Sequence, residues 1–222
     1  MKKIMTAVEL FEELFERYPA LECCREDIKK AYEACVRTYE RGGKILVAGN
    51  GGSASDSEHI VGELMKSFLV RRPADEKLCA KLKEKFGEEG KKMAESLEGT
   101  LCAIPLTSMP ALSTAFLNDV DPLMTFAQML SGYGKDGDVF IGITTSGNSK
   151  NILNAFMVAN AMGIKTVALT GGSGGKCRTL ADITVCVPST ETFKIQEYHL
   201  PVYHALCAML EAHFFEKTAV AR

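Results

Sequence analysis

The sequence predicts a three-layer α/β/α fold in which helices cover both faces of a five-stranded parallel sheet. Five short apolar runs predict the strands, at about 44–48, 101–105, 138–144, 165–169 and 182–186. The first and third runs are rich in β-branched residues and follow glycine-containing turns, as buried parallel strands do. Helical stretches separate the runs, and repeated strand–helix alternation of this kind builds a parallel sheet.

The N-terminal part, residues 1–41, predicts two amphipathic helices that divide near Tyr18-Pro19-Ala20. In the second of them Ile28, Cys35 and Tyr39 recur at helical spacing. A five-stranded sheet with helices on both faces offers this pair of helices no obvious place, so the apolar faces of the two helices need a partner. We therefore expect a homo-oligomer, and a tetramer in particular.

Residues 71–98 depart from the strand–helix rhythm. The segment is rich in lysine and glutamate, and its sparse apolar residues Leu78, Leu82, Phe86 and Met93 are spaced as in a helix. We expect a charged helical insertion within one domain that spans residues 1–222. A solvated spacer, a lid and an oligomer contact are the alternatives that the pattern leaves open.

Composition narrows the class of protein. The chain has 222 residues and a formal net charge of −2, which argues against general attraction to nucleic acid or to a membrane surface. No apolar run approaches the roughly 18 residues of a membrane span, and the N-terminus is not patterned as a signal peptide. Eight cysteines without a C-x-x-C pair predict reduced thiols in the cytoplasm.

Two loops carry the strongest indication of a ligand. Residues 48–55, Ala-Gly-Asn-Gly-Gly-Ser-Ala-Ser, follow the first strand, and residues 144–149, Thr-Thr-Ser-Gly-Asn-Ser, follow the third. Each loop opens a helix, where backbone N–H groups and hydroxyls bind anions such as phosphate. Ordinary turns are the alternative explanation. Neither loop has the glycine spacing of a nucleotide site, so a phosphorylated small molecule is expected and no nucleotide cofactor.

Histidine and carboxylate side chains supply candidate chemistry. His59 and Glu63 are four residues apart and share a face of the helix after the first loop. Gln196 and His204 are eight apart on the last helix, whereas His199 is turned about 140° away from His204. Pro201 should kink or restart that helix. The spacing permits metal binding or paired acid–base work.

Together these motifs resemble the sugar isomerase (SIS) family, and within it the phosphoheptose isomerases. The resemblance covers nearly the whole chain apart from 71–98, and its motifs occur in the family's order. The motifs are Gly49-Asn50-Gly51-Gly52-Ser53, His59, Glu63, Asn118-Asp119, Thr145-Ser146-Gly147-Asn148-Ser149, and Gln196-Glu197-x-His199 with His204. The resemblance implies the flavodoxin-like SIS fold.

The resemblance also implies roles for individual residues. Glu63 and His204 correspond to the proton-transfer pair, and His59, Glu63, Gln196 and His204 to the zinc ligands of some members. Substrate contacts are implied for Asn50, Gly51, Gly52, Ser53, Asn118, Asp119, Thr144, Thr145, Ser146, Ser149 and Gln196. Family members are homotetramers with sites shared between subunits.

Three departures from the family pattern leave the identity of the substrate sugar open. The 71–98 insertion is absent or shorter in typical members, Thr144 replaces a serine, and residues 191–194 lack the aspartate often found there.

The implied activity is aldose–ketose isomerisation. The enzyme would convert sedoheptulose 7-phosphate to D-glycero-D-manno-heptose 7-phosphate, or act on a close phosphosugar, through an enediol. Glu63 would move a proton between C1 and C2, and His204 would serve the oxygens. Zinc would polarise the carbonyl, but a metal-bound Glu63 is a poorer base. The alternative is a non-catalytic SIS protein that binds a phosphosugar or a protein partner such as a replication initiator.

Overall fold

A five-stranded parallel sheet forms the centre of the protein, as the sequence predicts. The computed structural model describes residues 4–215 and 220–221. The strands are β1 (Ile45–Gly49), β3 (Ala103–Pro105), β4 (Val139–Ile143), β5 (Lys165–Gly171) and β6 (Ile183–Val187). Their order is β3-β1-β4-β5-β6, and every pairing is parallel. The predicted strands are confirmed, with ends displaced by one or two residues.

Helices cover both faces of this sheet, which confirms the three-layer fold. One face carries α1 (Ala7–Arg17), α2 (Arg25–Glu40), α3 (Gly52–Met65) and α9 (Thr192–Phe215). The other carries α6 (Thr125–Tyr133), α7 (Lys150–Ala161) and α8 (Cys177–Leu180). The remaining helices are α4 (Glu76–Ser96) and α5 (Pro110–Asp119), and short 3₁₀ turns span Pro19–Cys24 and Pro122–Met124.

Successive side chains of a strand point to opposite faces of the sheet, which explains why the predicted strand segments are apolar throughout. In β1, Ile45 and Val47 contribute to the core beneath α2, α3 and α9, whereas Leu46 and Ala48 contribute to the core beneath α6 and α7. All four are fully buried. A strand covered on both faces needs apolar residues at every position.

The two N-terminal helices pack against other elements of the same chain, which corrects the expectation that the fold offers them no place. They divide at Tyr18, as predicted, and α1 begins with a capping box between Thr6 and Glu9. However, α2 packs on the sheet core, and Leu10 of α1 packs against Ala208 of α9. Part of their apolar surface is therefore covered within one subunit, whereas Val8 of α1 is exposed, and the role of these helices in an oligomer stays a prediction.

The segment 71–98 is helical, as predicted, and projects from the fold. Its helix α4 is interrupted at Gly87, whose φ of +56° is a conformation that favours glycine. Leu78, Phe86 and Met93 are exposed. The segment follows β2 (Val70–Arg71), which pairs antiparallel with β7 (Val220–Ala221) in a two-stranded sheet that the sequence did not predict. The single-domain assignment stays a prediction.

Helix α9 continues through Pro201, so of the two predicted effects of this proline, a kink or a restart of the helix, the restart is wrong. A proline removes one backbone hydrogen bond from a helix. Pro201, Val202 and Tyr203 are buried, and we attribute the continuity to this packing on both sides of the lost bond. The continuity fixes the positions of residues on either side of the proline.

The topology places the two hydroxyl-rich loops next to each other. They follow β1 and β4, which are neighbours, and the strand order reverses at this point because β3 lies on the other side of β1. In open α/β sheets, ligands bind at the carboxyl ends of the strands where the order reverses.

No described helix is long and apolar enough to cross a membrane.

Candidate active site

The first loop joins β1 to α3 with almost no intervening chain. A Cβ atom on Gly49 would lie 2.4 Å from the carbonyl oxygen of Ser53, so only glycine permits this tight connection. Ser53 is buried in the first turn of α3. A Cβ atom on Gly52 would lie 2.6 Å from Gln196 Nε2, so the side chain of Gln196 lies directly against the loop. The amide group of Gln196 therefore lies beside the N-terminus of α3.

The second loop places hydroxyls at the N-terminus of α7. Thr144 Oγ1 and Ser149 Oγ lie 2.9 Å apart, and Ser146 Oγ accepts a hydrogen bond from the backbone N–H of Asn148 at 3.2 Å. Gly147 has a φ of +66°, and a Cβ there would lie 2.0 Å from the carbonyl oxygen of Gly174. The loop is therefore held against the turn that follows β5. Hydroxyls and first-turn N–H groups together suit a phosphate.

A pair of asparagines connects the two loops. Asn50 Nδ2 donates to Asn151 Oδ1 at 3.0 Å, and Asn151 Nδ2 donates to Asn50 Oδ1 at 2.8 Å. Asn151 was missed by the sequence analysis, and its only signal there was a place in the first turn of the helix after the second loop. The reciprocal bonds fix the separation of the two helix N-termini.

Glu63, His59 and His204 converge at the other end of α3. Glu63 Oε1 lies 3.3 Å from His59 Nε2, and His59 Nε2 lies 3.4 Å from His204 Nε2. Lys66 Nζ also contacts Glu63 Oε2, at 3.0 Å. Burial, followed by the charge of His59, lowers the pKa of His204 and so favours the neutral form of this imidazole. The site therefore joins a carboxylate to a neutral imidazole, which is an acid–base pair.

Two residues that the sequence analysis missed adjoin His59. The hydroxyl of Tyr203 lies 3.0 Å from His59 Nδ1 and donates to Asp56 Oδ1 at 3.2 Å. Asp56 precedes His59 by three residues, which is the spacing of one helix face. That spacing was a usable signal for Asp56, whereas nothing in the sequence pairs Tyr203 with α3.

His199 is directed away from the cluster, as its helical angle predicts. It is fully buried, its Nε2 lies 3.3 Å from the carbonyl oxygen of Thr170, and burial lowers its pKa to about 4. Asn118 and Asp119 lie exposed at the end of α5, where Asn118 Nδ2 donates to Asp119 Oδ1 at 2.8 Å. Within the described residues, no side-chain hydrogen bond connects this pair to the loops.

A buried ion pair supports the site from behind. Arg72 Nε donates to Glu211 Oε1 at 2.6 Å, and both side chains are at most 1% exposed. The same guanidinium donates to the backbone carbonyls of Glu63 and Leu64 at 2.7 Å each. Glu211 accepts from three further backbone N–H groups, those of residues 68–70. This network joins the end of α3, which carries Glu63, to α9, which carries His204.

The predicted zinc ligands do not form one group. Gln196 lies beside Gly52 at the start of α3, whereas His59 and Glu63 lie farther along the same helix. Over the described ranges, 4–215 and 220–221, no three or more His, Cys, Asp or Glu side chains are arranged to hold a metal ion. The residues as placed therefore do not fit the predicted four-ligand set.

Comparisons with known proteins agree with this architecture. Residues 11–104 and 101–171 match the model of the SIS domain family. The chain is 37% identical to the phosphoheptose isomerase of Helicobacter pylori strain P12 over 198 residues, which are 89% of this chain and 90% of that protein. It is 38% identical to that of Burkholderia pseudomallei strain K96243 over 190 residues, 86% of this chain and 83% of that protein.

Solved structures agree as well. The phosphoheptose isomerase of Neisseria gonorrhoeae superposes with a TM-score of 0.71 at 30% identity, covering 90% of this chain and 94% of that one. The phosphoheptose isomerase of Francisella tularensis gives a TM-score of 0.70 at 31% identity, covering 93% of this chain and 99% of that one. The chain therefore belongs to the SIS domain family, and within it to the phosphoheptose isomerase group of enzymes.

Proposed function

We propose that the chain isomerises sedoheptulose 7-phosphate to D-glycero-D-manno-heptose 7-phosphate, or acts on a close phosphosugar, by aldose–ketose proton transfer. The observation that carries the proposal is the approach of Glu63 and His204 to a common point around His59. A carboxylate base beside a neutral imidazole is the pair that proton transfer next to a carbonyl requires. The relatives named above support the heptose.

The phosphate is held in this proposal by Ser53 of the first loop and by Thr145, Ser146 and Ser149 of the second, beside Thr144. Asn50, Gly51, Gly52 and Gln196 contact the sugar. Seven residues of α3 separate Gly52 from His59, which is roughly 10 Å at the rise of an α-helix. A linear sugar with its phosphate at one end and its carbonyl at the other spans a distance of that order. Asn118 and Asp119 are assigned to the same pocket in this proposal, on the strength of the resemblance.

The chemistry needs two proton movements. Glu63 removes the proton from the carbon beside the carbonyl, and His204 protonates the carbonyl oxygen, which yields an enediol. Glu63 then delivers its proton to the neighbouring carbon while His204 recovers one from the other hydroxyl. No atom is gained or lost. Positioned transfer of this kind contributes 10²–10⁴-fold to the rate.

Zinc is a separate part of the proposal. Two imidazoles and a carboxylate are ligands that zinc takes, and this donor chemistry alone supports it. The steps above use only the side chains of the chain and are routed through no metal. Turnover that survives chelation with EDTA at the parental rate would contradict the zinc part and leave the acid–base part intact.

Phosphate recognition is tested by the double variant Ser146→Ala, Ser149→Ala. Each substitution removes a hydroxyl that would bond a charged group, which is worth about 1.5–3 kcal/mol. We expect the dissociation constant for sedoheptulose 7-phosphate, measured by calorimetry, to rise at least about 10-fold per hydroxyl. Ser131→Ala on α6, where the hydroxyl donates to the carbonyl oxygen of Gln128 in the described part of the chain, is the matched control. Unchanged affinity in the double variant would place the phosphate elsewhere.

A homo-oligomer, in particular a tetramer, is also proposed. Helix α5 contributes no buried residue, and Leu112, Leu117 and Val120 on it or at its end are exposed. We expect sedimentation velocity at micromolar concentration to give an assembly larger than a monomer, and Leu117→Glu to shift it toward smaller species. A fully active monomer would contradict active sites that are shared between subunits.

The eight free thiols support the cytoplasm as the compartment.

A further inference from the structure

Asn151 holds the side chain of Asn50 at two points. Asn50 follows β1, whereas Asn151 lies in the first turn of α7, and each amide both donates to and accepts from the other, at 3.0 and 2.8 Å. Asn50 is exposed and Asn151 is half-buried. The last side-chain bond of an asparagine has two broad settings, between which an exposed amide can turn. The reciprocal pair removes that freedom from Asn50.

A backbone group of α7 determines which way round the two amides lie. The N–H of Ile152 donates to Asn151 Oδ1 at 3.0 Å. An NH₂ group at that place would set one donor against another, so the oxygen of Asn151 lies on this side. The same oxygen accepts from Asn50 Nδ2, while Asn151 Nδ2 donates to Asn50 Oδ1. The orientation of the Asn50 amide therefore follows from that of Asn151.

The paired amide of Asn50 still has hydrogen-bonding groups to offer. A primary amide has two N–H donors and a carbonyl oxygen with two lone pairs. Within the described residues, the side chain of Asn50 uses one donor and one lone pair, both toward Asn151. One N–H and one lone pair are left for a ligand. A sugar hydroxyl both donates and accepts a hydrogen bond, so it matches what this amide offers.

We propose that Asn151 is a positioning residue that sets the orientation of the Asn50 amide, so that this amide binds a hydroxyl of the sugar. The sugar contact rests on the proposed function, in which Asn50 binds the substrate. The orientation of the amide does not, because it follows from contacts among groups of the free protein.

Comparing the sugar with inorganic phosphate separates this role from a general loosening of the second loop. We expect Asn151→Ala to raise the dissociation constant for sedoheptulose 7-phosphate, measured by calorimetry, by roughly 3- to 10-fold, as for the loss of one hydrogen bond. The dissociation constant for inorganic phosphate should be unchanged, because the hydroxyls of the loop remain. Alanine is the best helix former, so this first-turn position of α7 should keep its structure.

A double-variant cycle tests whether Asn151 acts through Asn50. Asn50→Ala removes the amide that is positioned, so it should also weaken binding of the phosphosugar. Adding Asn151→Ala to that variant should cause no further loss, because no amide is left to position. Asn154→Ala is the matched control, since this amide lies one turn later on α7 and donates to the carbonyl oxygen of Leu123 at 3.0 Å. It should leave both dissociation constants unchanged.

The orientation itself is tested without a ligand, by the exchange of side-chain NH₂ protons with water in ¹H–¹⁵N NMR. Asn50→Ala identifies the signals of Asn50. We expect one of its two NH₂ protons to be protected in the parent and in Asn154→Ala, because only one is bonded, and Asn151→Ala to remove the protection.

Protection of the Asn50 proton that is the same in the parent and in Asn151→Ala would overturn the proposal. So would single effects that multiply in the double variant, or an equal loss of affinity for inorganic phosphate in Asn151→Ala. A parent that binds no phosphosugar would refute the proposed function, and the proton exchange would still decide the orientation of the amide. The two inferences therefore fail separately.

Discussion

Replacing Glu63 by glutamine is expected to lower kcat at least about 10³-fold, within the range that a positioned base contributes. The amide keeps the size of the side chain and can still bond His59, but it cannot take a proton from carbon. Binding of the phosphosugar should stay within a few-fold, because the proposed phosphate contacts are at the loops, toward the other end of α3. Stopped assays of turnover and calorimetry of binding measure the two quantities separately.

Glu58→Gln is the matched control for this variant. Glu58 lies on the same helix, and it accepts from the hydroxyls of Thr107 and Ser108 instead of facing the imidazoles. Its kcat should remain near the parental value. His204→Asn should also reduce kcat severely, whereas His199→Asn should matter less because that ring is directed toward Thr170. A Glu63→Gln enzyme with near-parental kcat would remove Glu63 from the role of base.

The second large effect is expected on stability, from Arg72→Met. The substitution leaves the Glu211 carboxylate buried without its cation, and it removes the donors to the carbonyls of Glu63 and Leu64. Breaking a buried pair by removing one partner costs about 3–5 kcal/mol. We expect the free energy of unfolding, measured by urea denaturation, to fall by that amount.

An exposed ion pair sets the scale for comparison. Arg37 lies 3.7 Å from Glu33 on α2, and both side chains are largely in solvent. Arg37→Met should change the free energy of unfolding by less than about 1 kcal/mol. If Arg72→Met were equally mild, the network behind the site would contribute little to stability, and its part in holding α3 against α9 would have to be rejected.

The layers of the fold were predictable because the central strands β1, β4 and β5 are buried on both sides. That burial requires unbroken apolar runs such as 139–143, which are visible in a sequence. The pairing of β2 with β7 was not predictable, because a strand of two residues is too short to show a periodic pattern in the sequence. Continuity of α9 at Pro201 depends on packing around the proline, which the local sequence does not encode.

The site was predictable where its contacts are local. His59 and Glu63 meet because they are four residues apart on one helix. Arg72 and Glu211 are separated by 139 positions in the chain, and only the folded structure brings them together. The same holds for Tyr203 and Asp56, which are 147 positions apart. The resemblance alone supplied Asn118 and Asp119, whose place in the pocket stays a prediction.

Exchange of a substrate proton with solvent tests the central claim most directly. The C1 protons of sedoheptulose 7-phosphate, and in parallel the C1 protons of ketose and the C2 protons of aldose pentose and hexose phosphates, are followed by NMR in heavy water with the parent and with Glu63→Gln. We expect the parent to replace one of these protons by deuterium on at least one phosphosugar, and Glu63→Gln to replace none. Exchange at the parental rate in Glu63→Gln would contradict the assignment of the base. No exchange by the parent on any of the sugars would contradict the isomerase itself and favour a protein that only binds them.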